Sequence, residues 1–423
     1  MRRWCLKNIS ADCRNFLRFH AKATFGWLCR FWLQYNSALR DFNENLLMII
    51  YADDNMPLAR EFFSAFGEVR LFNGRQVQAS QLSDADVLLV RSVTPVNASL
   101  LALNQRLKFV GTATIGTDHL DQTYLQSRQI PYTNAPGCNA QSVVEYVLSC
   151  LFLHAEQQQC LLSALKVGVV GCGQIGRRLV SSLQTLGVTV LQCDPLRAEQ
   201  ESGFVHVALD DLLTQVDVLS LHVPLVRSGE HATYHLFGEA RLRQLPEHVA
   251  LINACRGEVI DNQALLKLAL GGCRRPLFLD VWEHEPDIET ALLPFCQIAT
   301  AHIAGHSVEG KARGTEMLYQ ALCTILQRQP VLQMNDFLSP SAISHLQLSS
   351  KATPTELPSI CRLLYDVRRD DLLLRAQLAS KGFDWLRKHY PARREFSALT
   401  VNGPDVTLLA RLGFTTARNQ ADC

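Results

Sequence analysis

The chain of 423 residues lacks any run of about 18 apolar residues, although 48% of it is hydrophobic. Without such a run no membrane-spanning helix is expected, and no membrane partner with it. None of its fourteen cysteines forms a CxxC pair. They are scattered through apolar stretches, as Cys150, Cys193 and Cys323 are. There they read as small hydrophobes in a reducing, cytoplasmic setting, not as a disulfide framework. Low-complexity segments and short tandem repeats are missing too. Net charge is nearly absent, at +1, but it is unevenly placed. Residues 1–47 carry eight basic and three acidic side chains, and the rest carries 33 and 37. A mildly acidic body does not offer the concentrated positive face that nucleic acid requires, so no nucleic-acid partner is expected.

The first 47 residues stand apart. They hold Trp4, Trp27 and Trp32, with short apolar runs broken by Arg, Lys and His. Those runs are too short for a secretory core. Basic and aromatic content would suit a helix lying on a membrane surface. A simpler reading starts at Met48, because 48-MIIYADDNMP-57 reads as a first strand followed by a helix at Pro57. Residues 1–47 are then an N-terminal extension upstream of the native start.

From Met48 onward strand-like and helical segments alternate. The strand-like runs 48–52, 86–90 and 107–113 precede a long helical stretch at 141–158. A second set follows at 166–171, 187–194, 216–224, 248–255 and 277–282. Alternation of this kind implies parallel sheets covered by helices. The expected fold is α/β, with two Rossmann-like or flavodoxin-like domains flanking a cleft and a C-terminal α+β domain. The expected boundaries are 48–145 with 302–330 for a substrate domain, 146–301 for a nucleotide domain, and 331–423 for the C-terminal domain.

The second set opens with 167-VGVVGCGQIGRRL-179. Gly171, Gly173 and Gly176 form GxGxxG between a strand and a helix. The first glycine permits the tight turn, the second lets a pyrophosphate approach the backbone, and the third lets helix and strand pack closely. Gln174 and Ile175 lie within the same loop. The diphosphate sits at a helix N-terminus, where free N–H groups favour an anion. Asp194 ends the next strand, 18 residues after Gly176. Its carboxylate accepts ribose hydroxyls and repels a 2′-phosphate, so the cofactor expected is NAD.

Three residues just past strand-like segments supply redox chemistry on a hydroxy acid. Arg256 lies in 252-INACRGEVID-261, Glu285 in 279-LDVWEHEP-286, and His302 follows 17 residues later. Oxidising a secondary alcohol needs a base for the hydroxyl proton, and histidine titrates near neutrality. A carboxylate orients that ring, and a guanidinium holds a substrate carboxylate in a two-pronged grip. Asp280 is assigned to the nicotinamide end of the cofactor. His306, four residues after His302, raises a metal reading, but no third ligand at metal spacing accompanies the pair, so no metal is expected. Lys311 and Arg313 read as a helix face more readily than as an anion site.

The set GCGQIG, NACRGEVIDN, LDVWEHEP and AHIAGHS resembles the D-isomer-specific 2-hydroxyacid dehydrogenases. The resemblance extends over about residues 48 to 415. It implies two similar α/β domains with the active cleft between them, NAD-dependent oxidation, and Arg256, Glu285 and His302 as the catalytic set. Ser92 and Thr114 are implied to bind substrate, and both lie in loops rich in hydroxyls and glycine. Val223 stands where a cofactor-facing threonine is usual, and His306 where relatives carry tyrosine. His306 is assigned to the substrate, and Gly305 and Val223 to the cofactor. Late stretches such as 365-YDVRRDD-371 and 390-YPARREFSAL-399 set the chain apart from the phosphoglycerate enzymes of that family. They imply a small phosphorylated hydroxy acid as substrate, and a C-terminal domain that makes a homodimer. Arg368, Arg369, Arg393 and Arg394 read as solvated or paired charges. A sharper expectation has one of these pairs reaching a partner's cleft. A non-catalytic NAD-sensing protein on the same fold is the rival from another class.

Overall fold

The computed structural model describes residues 48–416. The expected N-terminal extension therefore lies outside the described residues. Each strand-like run named above contains a strand. The first sheet holds β1 (Met48–Asp53), β2 (Gly67–Phe72), β3 (Val87–Val90), β4 (Phe109–Thr112) and β5 (Tyr132–Thr133). Their order is β2-β1-β3-β4-β5, and every pairing is parallel. The second sheet holds β6 (Lys166–Val170), β7 (Thr189–Cys193), β8 (Val218–Leu221), β9 (Ala250–Asn253), β10 (Leu277–Leu279) and β11 (Ile298–Ala299). Its order is β11-β10-β9-β8-β6-β7, again parallel throughout.

The central strands β3, β8 and β9 are buried at every position. That is why they read as continuous apolar runs and not as alternations: helices cover both faces of a parallel sheet. Strand order reverses once in each sheet, between β1 and β3 in the first and between β6 and β8 in the second. Crevices open at such reversals, beyond the carboxyl ends of the strands. Each crevice falls where the loops carry the residues singled out above.

The helix Ala140–Gln157 is buried at fourteen of its positions, including Glu145 and His154. It lies in a core shared with the second sheet and with the C-terminal residues Tyr365, Phe396 and Val401. The helix Val308–Ile325 returns to the first sheet. There Leu318, Tyr319 and Leu322 pack with Ile50, Phe62 and Phe63. Burying side chains of this size contributes about 1.5–3 kcal/mol each.

The C-terminal strands β12 (His345–Gln347), β13 (Thr400–Asn402) and β14 (Thr415–Thr416) form a small parallel sheet. The helix Val367–Lys381 closes the edge of the second sheet, where Asp371 accepts the N–H of Ala299 in β11 at 2.8 Å. A covered edge offers no template for stray pairing. Among the described residues no helix is long and apolar enough to cross a membrane.

Candidate active site

The dinucleotide loop follows β6. Gly171 has φ +88°, and a Cβ there would lie 2.7 Å from the carbonyl oxygen of His222. A Cβ on Gly176 would lie 2.0 Å from the Gly171 carbonyl oxygen. Both positions thus require glycine, one for its turn and one for close strand–helix packing. A Cβ on Gly173 meets nothing within 4 Å, so the loop faces open space there. Asp194, after β7, leans back over the loop. Its carboxylate accepts the N–H of Cys172 at 2.8 Å and that of Arg197 at 3.0 Å. Open space over the loop, the start of the helix Gly176–Thr185, and a half-buried acid beside them fit a dinucleotide with free ribose hydroxyls. Gln174 is exposed and accepts from Arg177, Ile175 is half-buried, and Val223 packs beside Gly171 at the strand reversal.

Glu285 and His302 meet. His302 Nδ1 and Glu285 Oε2 are 2.7 Å apart, and Glu285 Oε1 accepts the N–H of Trp282 at 3.0 Å. His302 Nε2 makes no hydrogen bond among the described residues. The ring is about one third exposed. Burial pushes the Glu285 carboxyl up, but the His302 charge and hydrogen bond, with Arg387 and the Trp282 N–H, outweigh it and hold its pKa below the ordinary value. The carboxylate stays ionised, so it can brace a protonated ring.

His302 itself has φ +54°, a left-handed backbone in which histidine is among the better-tolerated residues. Asp280 shapes that turn. Its buried carboxylate accepts from Thr300 Oγ1 at 2.6 Å, Ile303 N at 2.8 Å and Ala304 N at 3.0 Å. Its carbonyl accepts the His302 N–H at 2.7 Å. These bonds make Asp280 the anchor of the loop, a use that the sequence did not suggest.

Arg256 follows β9 and reaches toward the first sheet. Its Nη2 lies 3.5 Å from Asp118, and its Nη1 donates to the Cys255 carbonyl at 2.7 Å. A Cβ on Gly116 would sit 2.4 Å from that guanidinium. Gly257 was not singled out from sequence, yet a Cβ there would lie 1.9 Å from the Trp282 carbonyl oxygen. Glycine therefore lets the Arg256 turn abut the loop that holds Glu285. Thr114 Oγ1 contacts Thr112 Oγ1 at 2.8 Å, and Thr112 in turn contacts His119 Nε2 at 2.9 Å. Partial burial lowers the His119 pKa to about 4, so this half-buried ring is neutral. Ser92 is exposed in the turn after β3. Gly305 lets Asn139 approach, for a Cβ there would lie 2.1 Å from its Nδ2.

His306 takes a different place from His302. Its ring stands edge-on to Tyr390 at 5.9 Å, and its Nδ1 is buried without a partner. Burial, then Lys311, Arg91, Arg387 and His302, lower its pKa well below the ordinary value. Sequence reading passed over Arg91 and Arg387 and treated Lys311 as helix surface. Arg91 adjoins the Ser92 already chosen, but nothing local signals Arg387. Arg313, from the same basic run as Lys311, is paired with buried Glu395 at 2.8 Å.

Three of the four C-terminal arginines are paired within their own chain. Arg368 pairs with Asp366 at 2.5 Å and Arg394 with Glu309 at 2.5 Å. Arg393 is wholly buried, 3.8 Å from Glu145 and 3.5 Å over the Tyr365 ring. Its guanidinium also donates to the carbonyls of Ser142 at 2.6 Å and Ala304 at 3.0 Å. A separate cluster of His235, Asp261 and Glu283 has metal-ligand composition. Its groups are already engaged, His235 with Glu283 at 2.6 Å and Glu283 with the Asn262 N–H at 2.7 Å.

Residues 152–306 match the family described as D-isomer specific 2-hydroxyacid dehydrogenase, NAD binding domain. Residues 337–413 match a domain of unknown function, DUF3410. The chain is 49% identical over 372 residues to erythronate-4-phosphate dehydrogenase of Pseudoalteromonas translucida, covering 88% of this chain and 100% of that one. It is also 49% identical to the Colwellia psychrerythraea enzyme of the same name, covering 87% and 99%. Among solved structures, D-lactate dehydrogenase of Aquifex aeolicus, complexed with NAD and lactic acid, superposes with a TM-score of 0.55 at 25% identity. That match covers 66% of this chain and 95% of the other. The chain belongs to the D-isomer-specific 2-hydroxyacid dehydrogenase family, among its erythronate-4-phosphate dehydrogenases.

Proposed function

We propose that the protein oxidises 4-phospho-D-erythronate to (R)-3-hydroxy-2-oxo-4-phosphooxybutanoate, a step toward pyridoxal 5′-phosphate. The observation that carries this reading is the 2.7 Å contact between His302 and Glu285 beside a loop fitted to a dinucleotide. The names of the relatives support the substrate.

NAD, when bound, accepts the hydride that leaves carbon 2. The protein's own groups do the rest. Arg256 grips the substrate carboxylate and polarises the reacting oxygen. Thr114 and Ser92 add hydroxyl donors. His302 takes the hydroxyl proton at Nε2, and Glu285 fixes the ring and stabilises its charged form. Gly171, Gly173, Gln174, Ile175, Gly176 and Asp194 hold the dinucleotide. Val223, Gly305 and Asp280 line or shape its nicotinamide end. The C-terminal region joins two copies into a homodimer in the cytoplasm.

The test is NADH formation, or reduction of an added 2-keto acid, by purified protein with 4-phospho-D-erythronate and, in parallel, 3-phosphoglycerate. Turnover of the erythronate ester alone is expected. Turnover of 3-phosphoglycerate alone overturns the substrate but keeps the chemistry. NAD binding without any turnover favours an NAD-sensing protein.

A further inference from the structure

The chain passes from the first sheet to the second at the start of the helix Ala140–Gln157, and it returns at the start of the helix Val308–Ile325. The two crossings touch. Ser142 Oγ and Ser307 Oγ lie 2.7 Å apart. A Cβ on Gly310 would lie 2.8 Å from Ser307 Oγ and 2.9 Å from Ser142 Oγ, so glycine lets the second helix come this close to the first. His302 leads into the return crossing and Arg256 belongs to the second half, whereas Ser92 and Thr114 belong to the first. The angle between the halves therefore decides whether one substrate can meet all four.

One short segment of the C-terminal region, ahead of β13, bonds to both crossings. Arg393 Nη2 donates to the Ser142 carbonyl at 2.6 Å, and its Nη1 to the Ala304 carbonyl at 3.0 Å. The Arg393 carbonyl accepts the Val308 N–H at 2.9 Å. Glu395 Oε1 stands 2.8 Å from Ser142 Oγ and 2.9 Å from Ser307 Oγ, and its Oε2 accepts from Arg313 at 2.8 Å. The Glu395 N–H donates to the Glu309 carboxylate at 2.9 Å, and the Phe396 N–H to the Glu145 carboxyl at 2.8 Å. The Arg393 and Glu395 side chains are both wholly buried. The Glu395 carboxylate faces the first turns of two helices, whose dipoles favour an anion there. Buried charges are costly unless they are bonded, and a well-bonded buried network specifies one arrangement where apolar packing tolerates several.

We propose that Arg393 and Glu395 are positioning residues for the proton transfer: they fasten the two crossings together and so hold His302 in place over the loops of the first sheet. This rests on the oxidation proposed above and deepens it. Both residues act through others, namely Ser142, Ala304 and Ser307. The Ala304 peptide, two residues after His302, is pinned from two sides. Asp280 of the second half accepts its N–H, and Arg393 of the C-terminal region donates to its carbonyl. The C-terminal region is thereby part of the frame that aims the proton carrier.

The test uses full-length protein and three readouts: kcat on 4-phospho-D-erythronate, NAD affinity by calorimetry, and amide hydrogen exchange over residues 303–310 without substrate. Glu395→Gln, and Ser142→Ala combined with Ser307→Ala, are compared with Arg362→Gln. Arg362 pairs with Glu156 at 2.7 Å, so it ties the C-terminal region to the far end of the helix Ala140–Gln157. In Glu395→Gln and the serine variant kcat is expected to fall about 10–100-fold, the scale set by misplacing a reacting group by about 1 Å. Exchange over 303–310 is expected to quicken in both. NAD affinity is expected to stay near that of the wild type, because the glycine loop and Asp194 lie within the second half. Arg362→Gln is expected to match the wild type in all three. Melting curves establish that each variant is folded, and the serine variant decides if Glu395→Gln is not. Wild-type kcat in the folded variants overturns the proposal. So does an equal fall in Arg362→Gln, or a loss of NAD affinity as large as the loss of kcat. If the wild type does not oxidise 4-phospho-D-erythronate but exchange still quickens in Glu395→Gln and not in Arg362→Gln, the clasp stands and the substrate assignment falls.

Discussion

His302 and His306 are four residues apart in one loop, yet they enter opposite surroundings. His302 is partly exposed and held at 2.7 Å by an ionised carboxylate. His306 has a buried, unpartnered nitrogen and cations on several sides. Their sequence neighbourhood is the same. What differs is the group that each ring meets: Glu285 in the loop after β10 for His302, and Tyr390, beyond the C-terminal helix Phe383–Lys388, for His306. Residue type and spacing nominate a histidine, and tertiary partners decide whether it is fit to exchange protons at neutral pH.

The sharpest way to break this contrast is to remove each ring. His302→Ala is expected to lower kcat by about 10²–10⁴-fold, the usual contribution of a positioned acid–base group. His306→Ala is expected to act mainly on KM for the phosphorylated acid, because a neutral ring among cations is poorly placed to carry a proton. A larger fall in kcat for His306→Ala than for His302→Ala inverts the assignment.

Glu285→Gln sharpens the same contrast by leaving the His302 ring in place without its charge partner. A fall in kcat on the order of 10²-fold is expected, since the charged ring loses the carboxylate that orients and stabilises it. The sign for stability follows from the lowered Glu285 pKa. The carboxylate contributes above the ordinary carboxyl pKa, and this contribution fades as pH falls through its lower folded value. The pair therefore survives at neutral pH and fails only in acid.

A third comparison sets the buried Arg393 against the partly exposed Arg394. Arg393→Met leaves the buried carbonyls of Ser142 and Ala304 without their donor. It is expected to destabilise the fold by about 2–5 kcal/mol, read from denaturant unfolding. Arg394 touches Glu309 at a less buried surface, so Arg394→Met is expected to cost less.

The smallest effect has the opposite sign. Lys311 is lowered to about 8 by burial, Arg91 and Arg387, with neutral His306 beside it. An unfolded lysine keeps its proton to higher pH, so ligand-free stability should rise between about pH 8 and the ordinary lysine value of 10.5. Lys311→Met should raise the neutral-pH melting temperature, by about 2–4 °C for each kcal/mol of repulsion relieved.

Much of the nucleotide half was legible because its signals are local. Gly171, Gly173 and Gly176 lie within six residues, and Gly171 and Gly176 each meet a steric need of their own turn. Glu285 and His302 were legible as residues past strand ends, although only the fold supplies their contact. Strands β5 and β11 span two residues each, too short for any periodicity to register. The polar edge strand β2 was missed for want of a continuous apolar run. The burial of Arg393 was illegible for another reason: it looked like a surface charge because Ser142 and Ala304, whose carbonyls it serves, are so far away in sequence. Asp280 was read as a cofactor contact, while its hydrogen bonds to Thr300, Ile303 and Ala304 depend on a turn that only the folded loop reveals.

The most direct test measures kcat and KM for 4-phospho-D-erythronate in His302→Ala and His306→Ala side by side. The expected result is a split: kcat collapses with KM nearly kept in the first, and KM rises with a far smaller change in kcat in the second. If both variants lose kcat and KM together, or if His302→Ala turns over like the wild type, the division between a proton carrier and a substrate-facing ring is wrong.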